Sequence, residues 1–161
     1  MAAAPVTLRT MTAADVDAVL DVQVPGAVRA LVDVFPQSEY PFPRDVVADR
    51  WRREIDAPGV DCCTVRLDDA LVGFVAIRGD ELLHFGIAVE HWSTGVAQGA
   101  HDAALERMRT RGVQNARLWV FTGNRRARRF YERLGWRPTA ERTRSTFPPR
   151  PELLQYVRPT T

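Results

Sequence analysis

The chain has 161 residues, of which 45% are hydrophobic and 26% are charged, and its formal net charge at neutral pH is only +2. A chain of this length buries a core of its own, so we expect one globular domain over residues 1–161. The balanced charge does not by itself suggest a nucleic-acid or membrane partner.

The cysteines and the N-terminus both favour a cytoplasmic protein. Cys62 and Cys63 are adjacent, and neighbouring side chains in a strand point to opposite faces, so they are poorly placed to form a disulfide with each other. Residues 1–5 lack the charged and apolar segments of a signal peptide. No stretch approaches the 18 or so apolar residues that a membrane-spanning helix needs.

The N-terminal third predicts one strand followed by helices. Residues 6–9 form a short strand pattern, and Thr12-Ala13-Ala14-Asp15 resembles a capping box that begins a helix. We expect that helix to end at Pro25-Gly26. Residues 27–35 and 45–55 predict two more helices, separated by a loop that contains two prolines.

The middle of the chain predicts three strands, over residues 62–67, 70–78 and 82–89. The short connections Asp68-Asp69 and Gly79-Asp80 are typical of hairpin turns, so these strands form an antiparallel meander.

Helix and strand patterns alternate in the remainder. We predict a helix from residue 97 to Gly112, a strand over 116–121, a helix over 124–134, and final strands at 143–147 and 153–157. The strand–helix–strand passage from 82–89 to 116–121 favours a right-handed parallel crossover. The whole order predicts a mixed α/β sheet protein.

The first motif that carries chemistry runs from Trp92 to Gly99, between a strand and a helix. Gly95 permits a tight turn, and the small residues Ala97 and Gly99 leave room for a ligand to approach the backbone. The first N–H groups of a helix have no intrahelical partners, and the helix dipole favours an anion there. The motif therefore suits a pyrophosphate, and an ordinary tight turn is the alternative.

The second motif runs from Asn124 to Trp136. Its helical spacing places Ala127, Phe130, Tyr131 and Leu134 on one apolar face. Arginines occupy most of the other face, and Asn124 is a favourable N-cap. Periodicity alone is equally consistent with Tyr131 as a core aromatic residue and with a solvated arginine face.

Together the two motifs resemble those of the GNAT superfamily of acyl-CoA N-acetyltransferases. The pattern N-x-x-A-x-x-F-Y-x-x-x-G-W from Asn124 resembles its second signature. Gly95 and Ala97 match the last two named positions of its R/Q-x-x-G-x-G/A pyrophosphate loop. The order of the motifs and the coarse strand order agree along nearly the whole chain. Trp92 departs from the pattern, because Arg or Gln usually stands there, and Arg125 or Arg126 could compensate by meeting CoA phosphates.

The resemblance implies a mostly antiparallel sheet with a splayed parallel strand pair, flanked by helices, and acetyl-CoA bound in the wedge. The backbone that would bind the pantetheine arm and the pyrophosphate belongs to Ile87, Ala88, Val89, Thr94, Gly95, Val96, Ala97, Gln98 and Gly99. Asn124 would also hydrogen-bond the cofactor. Tyr131 would act as the general acid towards the sulfur. This chemistry requires no metal.

The general base is less well defined by the resemblance. Family members often use a glutamate on the strand before the pyrophosphate loop, or an ordered water. Glu81 and His84 lie on or near that strand, and we favour His84 because its intrinsic pKa suits a base near neutrality. Strand alternation places His84 opposite Leu83 and Phe85 unless a bulge intervenes. A structural role for either candidate is the alternative.

The expected function is transfer of an acetyl group from acetyl-CoA to a primary amine of a small molecule by direct attack. The acceptor site should lie between the early helices and the last hairpin. A peptide groove there would favour a protein N-terminal or lysine acetyltransferase instead. A non-catalytic CoA-binding or nucleic-acid-binding module is the third reading. Family members are often dimers, which leaves a homodimer open.

Overall fold

The computed structural model describes residues 5–161, so residues 1–4, on which part of the signal-peptide prediction rests, lie outside the described residues. The elements are β1 (Val6–Thr10), α1 (Val16–Ala30), α2 (Arg44–Asp56), β2 (Val60–Leu67), β3 (Ala70–Arg78), β4 (Glu81–Ile87), α3 (Val96–Thr110), β5 (Asn115–Phe121), α4 (Arg125–Arg133), β6 (Arg137–Arg144) and β7 (Glu152–Pro159). Short 3₁₀ turns occupy Ala13–Asp15 and Val89–His91. No helix within residues 5–161 is long and apolar enough to cross a membrane.

All seven strands form one sheet in the order β1-β2-β3-β4-β5-β7-β6. Every neighbouring pair is antiparallel except β4 and β5, which are parallel. The β4–β5 pairing is confined to Glu81 opposite Arg117, where the Arg117 N–H donates to the carbonyl of Asp80 at 2.9 Å. Beyond that point the two strands diverge. The predicted mixed, mostly antiparallel sheet with a splayed parallel pair is confirmed.

Two apolar clusters cover the two faces of the sheet. Helices α1 and α2 pack on one face around buried residues such as Leu20 and Trp51. Helices α3 and α4 pack on the other face around residues such as Met108, Trp136 and Tyr131. The gap between β4 and β5 is therefore open to both layers, and each layer contributes its own side chains to it.

The predicted start of the first helix is confirmed, but its predicted end is wrong. The Thr12 N–H donates to Asp15 Oδ2 at 2.8 Å, which is half of the expected capping box. Helix α1 then continues through Pro25 to Ala30. Proline lacks the N–H that would bond the carbonyl of Asp21, and because both residues are exposed, water can satisfy that carbonyl. The separate helix predicted over 27–35 is the last turn of α1 and the turns after it.

Two strand boundaries also differ from the prediction. The strand expected over 82–89 ends at Ile87, because Val89 begins a 3₁₀ turn. The strand expected over 143–147 lies earlier, at Arg137–Arg144. That strand is a largely exposed edge with Pro138 near its start, so it carries none of the apolar alternation from which strands are predicted.

Candidate active site

A cavity of approximately 1270 Å³ opens where β4 and β5 part. Its walls come from α1, β4, the loop before α3, β5 and α4. The predicted site residues that line it are His84, Ile87, Gly95, Ala97, Gln98, Asn124, Arg126 and Tyr131. Glu81, Ala88, Val89, Thr94, Val96 and Gly99 are not among the lining residues. The splay therefore brings both sequence motifs to one space.

Three backbone amides at the start of α3 have no partner within the helix. Gly95 is the N-cap residue, with a φ of 92° that an L side chain rarely adopts. The first intrahelical bond runs from the Gly99 N–H to the Gly95 carbonyl at 3.0 Å, so the predicted Gly99 amide is already used. The amides of Val96, Ala97 and Gln98 precede that bond, and Val96 makes only a long 3.5 Å contact with Thr94 Oγ1. Ala97 and Gln98 line the cavity, so their amides are placed at its edge in a way that suits an anion.

The strand pleat decides which β4 amides face the gap. The Ala88 N–H donates to the Val72 carbonyl of β3 at 2.8 Å, so it points away from β5. Since successive N–H groups alternate in direction, those of Phe85 and Ile87 point towards β5. Of the residues expected to pair with pantetheine, only Ile87 is placed to do so, and Phe85 joins it.

Tyr131 lies on α4 with its ring packed against Phe130 and Trp136, at centroid distances of 5.3 and 5.8 Å. The residue is 8% exposed and lines the cavity. Among residues 5–161, no group forms a hydrogen bond with its hydroxyl. Burial raises the pKa of Tyr131, so the phenol keeps its proton at neutral pH and can donate it.

Asn124 and Arg126 lie at the start of α4, beside the same cavity. Asn124 Oδ1 accepts the Ala127 N–H at 3.1 Å, which confirms the predicted N-cap and leaves the side-chain NH₂ available. The Arg126 guanidinium lies over the Trp92 ring, with 4.0 Å between the guanidinium carbon and the ring centroid.

His84 forms a hydrogen-bonded pair with Glu54, which the sequence alone did not identify. His84 Nε2 lies 2.7 Å from Glu54 Oε2, and the imidazole packs edge-on against Trp51. Burial is the main influence on the pKa of His84 and lowers it, although the bond to Glu54 opposes the shift. The neutral ring can donate from Nε2 to the carboxylate, which leaves Nδ1 as a proton acceptor.

The electrostatics of Glu54 support this arrangement. Burial by itself raises the pKa of Glu54, but the hydrogen bond from His84 and the charge of Arg50 outweigh it, so the pKa is lowered. Arg50 lies one helical turn away, 3.7 Å from Glu54 Oε1. Glu54 is therefore an anion that holds the orientation of His84.

A bulge determines the face on which His84 lies. The β3–β4 register shifts between Ala76 and Ile77, opposite the β4 residue Leu83. Leu83 consequently packs on the α1–α2 layer, as His84 does, whereas Phe85 stacks on Phe130 in the other layer. The sequence had allowed for such a bulge.

Glu81 lies at the closed end of the β4–β5 pair and is 5% exposed. Its carboxylate is 3.0 Å from Arg78 and 3.6 Å from Arg117. The structure does not bring it into the cavity, and its two arginine partners explain its burial. We do not retain it as a base.

The connection between β6 and β7 reaches α2. The Arg50 guanidinium carbon lies 5.9 Å from the Phe147 ring centroid, and Phe147 also packs on the α1–α2 cluster. Gln23 of α1 lines the cavity and accepts a 2.8 Å bond from Trp51 Nε1. These contacts join α1 and the β6–β7 connection to α2, and Gln23 forms part of the cavity wall on that side.

Comparison with known proteins agrees with this geometry. The family model described as "Acetyltransferase (GNAT) family" matches residues 27–136, which is more than half of the chain. None of the curated proteins compared with the chain matches it.

Similar solved structures come from several bacteria. A GCN5-related N-acetyltransferase from Rhodopseudomonas palustris is 14% identical, with a TM-score of 0.81 and coverage of 99% of this chain and 98% of that one. The spermidine N-acetyltransferase of Vibrio cholerae, in complex with CoA and spermine, is 18% identical, with a TM-score of 0.70 and coverage of 96% and 95%. The ribosomal-protein-S18-alanine N-acetyltransferase of Escherichia coli is 15% identical, with a TM-score of 0.68 and coverage of 98% and 95%. At these identities the likeness shows the fold.

Proposed function

Since the chain belongs to the GNAT acetyltransferase family, whose members use acetyl-CoA, we propose that it acetylates the primary amine of a small molecule. One observation carries the proposal. The cavity at the β4–β5 splay is lined by the head of α3, by Tyr131 and by His84, and within residues 5–161 the Tyr131 hydroxyl has no hydrogen-bond partner.

The residues that line the cavity fit CoA. Of the amides at the head of α3, those of Ala97 and Gln98 belong to lining residues and would hold the diphosphate, and the helix dipole adds to the attraction. The amides of Phe85 and Ile87 would pair with the pantetheine arm, in place of the missing β5 partner. Acetyl-CoA itself supplies an electrophilic thioester carbon and a thiolate leaving group.

Three groups of the chain would then serve the transfer. His84 Nδ1 takes a proton from the amine as its nitrogen bonds to the acyl carbon. An N–H of β4, from Phe85 or Ile87, donates to the carbonyl oxygen on which negative charge develops. The C–S bond breaks, and the Tyr131 hydroxyl gives its proton to the departing sulfur. Glu54 acts as a positioning residue, because its carboxylate holds the tautomer of His84 that leaves Nδ1 free.

The cysteines support direct attack by the amine rather than transfer through a thiol. Cys62 and Cys63 are buried in β2 and do not line the cavity. Burial raises the pKa of Cys62 to about 12 and that of Cys63 to about 11. Neither thiol would ionise at neutral pH to act as a nucleophile.

The contact between Phe147 and Arg50 favours a small acceptor over a polypeptide. It joins the last loop to α2 beside the His84–Glu54 pair. A peptide substrate would need an open groove between those two elements, and this contact joins them.

A turnover assay with three classes of acceptor tests the proposal. Thiol release from acetyl-CoA would be followed with a panel of small primary amines, with peptides that have a free N-terminus, and with lysine-containing peptides blocked at the N-terminus. Mass spectrometry would identify the acetylated product. We expect turnover with members of the first class. Turnover confined to peptides would replace the small-molecule proposal, and CoA binding without any turnover would favour the non-catalytic reading.

A further inference from the structure

Trp92 stands where the family pattern has Arg or Gln, and two arginines lie against its ring. The guanidinium carbons of Arg29, on α1, and Arg126, on α4, are 5.5 and 4.0 Å from the ring centroid. The ring is held in place, because Trp92 Nε1 donates to the Ile87 carbonyl at 3.0 Å. A Cβ added at Gly26 would lie 3.9 Å from the indole, so α1 passes close to it.

Neither arginine has an acidic partner. Among residues 5–161, no ion pair or hydrogen bond involves the side chain of Arg29 or Arg126. By contrast, Arg128 on the same helix donates to Tyr156 and to the Thr122 carbonyl. The positive charge beside Trp92 therefore stands without a counter-ion from the described chain.

More positive charge surrounds the pair. Arg129 and Arg133 line the cavity with Arg126. Desolvation is the main cause that lowers the pKa of Arg126, and the charges of Arg29, Arg129 and Arg133 lower it further. Like charges that lower the pKa of Arg126 in this way, next to a cavity, favour the binding of an anion.

The stacking leaves the donors of both guanidinium groups available. A cation–π contact uses the face of the guanidinium and leaves its five N–H groups unbonded. Those N–H groups form a fork that matches the oxygens of a phosphate. Trp92 and Arg126 also line the same cavity as Ala97 and Gln98, whose amides are placed in a way that suits an anion.

We propose that Arg29 and Arg126, held against Trp92, bind a phosphate group of CoA. The cation that the loop lacks at Trp92 is thus supplied by two helices, one on each side of the sheet. Helix α1 also lines the cavity through Val22 and Gln23, so the same helix would contact both substrates. This inference rests on the proposed function, because it takes CoA as the ligand. The phosphate is either the diphosphate or the 3′-phosphate of the ribose.

Calorimetric titration with CoA and with 3′-dephospho-CoA tests the inference. The variants are Arg29→Gln and Arg126→Gln, and the matched control is Arg137→Gln, an exposed arginine of β6 that removes the same charge away from the cavity. We expect each test variant to weaken CoA binding about ten-fold or more, as the loss of a charged hydrogen bond does, and the control to bind as the wild type does. The dependence of the dissociation constant on salt should also become shallower in both test variants.

The two ligands separate the two phosphates. Equal losses with both ligands assign the pair to the diphosphate, whereas a loss seen only with CoA assigns it to the 3′-phosphate. Test variants that bind CoA as tightly as Arg137→Gln would overturn the role of the pair while leaving the proposed function intact. A wild-type protein that binds neither ligand would overturn the proposed function together with this inference.

Discussion

The two sides of the splayed strand pair present different chemical groups to a ligand. We call the side where CoA would bind the donor side, and the side where the amine would bind the acceptor side. On the donor side, the groups that face the ligand are mostly backbone amides, and they lie in two short stretches, 92–99 and 124–136, with the adjoining end of β4. On the acceptor side they are side chains such as Gln23 of α1 and His84 of β4, and His84 is bonded in turn to Glu54 of α2. A site made of backbone follows from local spacing, whereas a site made of side chains requires the whole fold to assemble it.

Two buried histidines show the same contrast. Burial lowers the pKa of both His84 and His101. His101, on α3, has both ring nitrogens engaged, since Nε2 accepts a 2.9 Å bond from Trp136 Nε1 and Nδ1 lies 2.9 Å from Asp102. In the described part of the chain, residues 5–161, His84 has a hydrogen bond only at Nε2, and it lines the cavity. The first histidine therefore serves packing, and the second is available for proton transfer.

The largest expected effect is at Tyr131, the donor-side group that must act through its side chain. Tyr131→Phe keeps the ring packing and removes the proton donor, so kcat should fall by about 10²–10⁴. The KM for acetyl-CoA should change little. Steady-state thiol release measures both quantities.

Tyr156→Phe is the matched control for that substitution. Its hydroxyl bonds Glu132 and Arg128 rather than facing the cavity, so kcat should stay near the wild-type value. If Tyr131→Phe retained full kcat, Tyr131 would have no role as an acid.

The next largest effect on kcat is expected from substitutions of the hydrogen-bonded pair His84 and Glu54. His84→Gln should lower kcat by about a hundred-fold, because the amine then loses its proton acceptor. Glu54→Gln should lower it less, by about ten-fold, since the imidazole remains but loses the partner that orients it. Wild-type activity should rise with pH through the lowered pKa of His84, because only the neutral ring accepts a proton.

The pH profile separates orientation from structural damage at Glu54. The bond from Glu54 raises the pKa of His84, so Glu54→Gln should move the acidic limb of kcat/KM to lower pH. If the acidic limb of the kcat/KM profile stayed at the same pH in both Glu54→Gln and His84→Gln, His84 would be excluded as the group whose titration causes it.

A smaller effect is expected from a substitution at Gly86, a β4 residue that lines the cavity. A Cβ at Gly86 would lie 2.3 Å from Cζ of Phe74, so Gly86→Ala must displace that ring. We expect a several-fold increase in the KM for the amine and a loss of about 1–3 kcal/mol in the free energy of unfolding. The affinity for CoA should be nearly unchanged.

The double variant Gly86→Ala/Phe74→Leu tests the cause. The smaller side chain leaves room for the new methyl group, so part of the lost stability should return. A single Gly86→Ala variant with wild-type stability in denaturant titration would mean that the ring moves at no cost.

The smallest effect is on stability as a function of pH. The folded state holds His84 and His101 with lowered pKa values, so below the ordinary histidine value of about 6.5 the unfolded chain binds more protons. The free energy of unfolding should therefore fall as pH drops below that value, by at most about 1.4 kcal/mol per pH unit for each histidine. Denaturant titrations in wild type and His101→Gln would measure this, and an unchanged slope in the variant would assign the dependence to other groups.

Much of the fold was predictable because local sequence patterns specify its turns and helix starts. Turns at Asp68-Asp69 and Gly79-Asp80 delimited the meander, and Gly95 and Asn124 marked the starts of two helices, as observed. The prediction errors occurred where solvent exposure or position in the sheet outweighs the local sequence rules. Helix α1 passes through Pro25 because the affected carbonyl is exposed to water, and the edge strand β6 has no apolar alternation to reveal it.

Local sequence patterns predicted the order of the strands along the chain, the family resemblance and the two stretches that face the donor, because glycine conformation, capping and helical spacing act within a few residues. Only the tertiary structure decided which amides of β4 face the gap, that Glu54 meets His84, and that Arg29 joins Arg126 on Trp92. These contacts link residues that are distant in the sequence, and their geometry depends on the pleat, the bulge and the packing of α1 on the sheet. No local pattern encodes such distances, because they arise only when separate elements share one core.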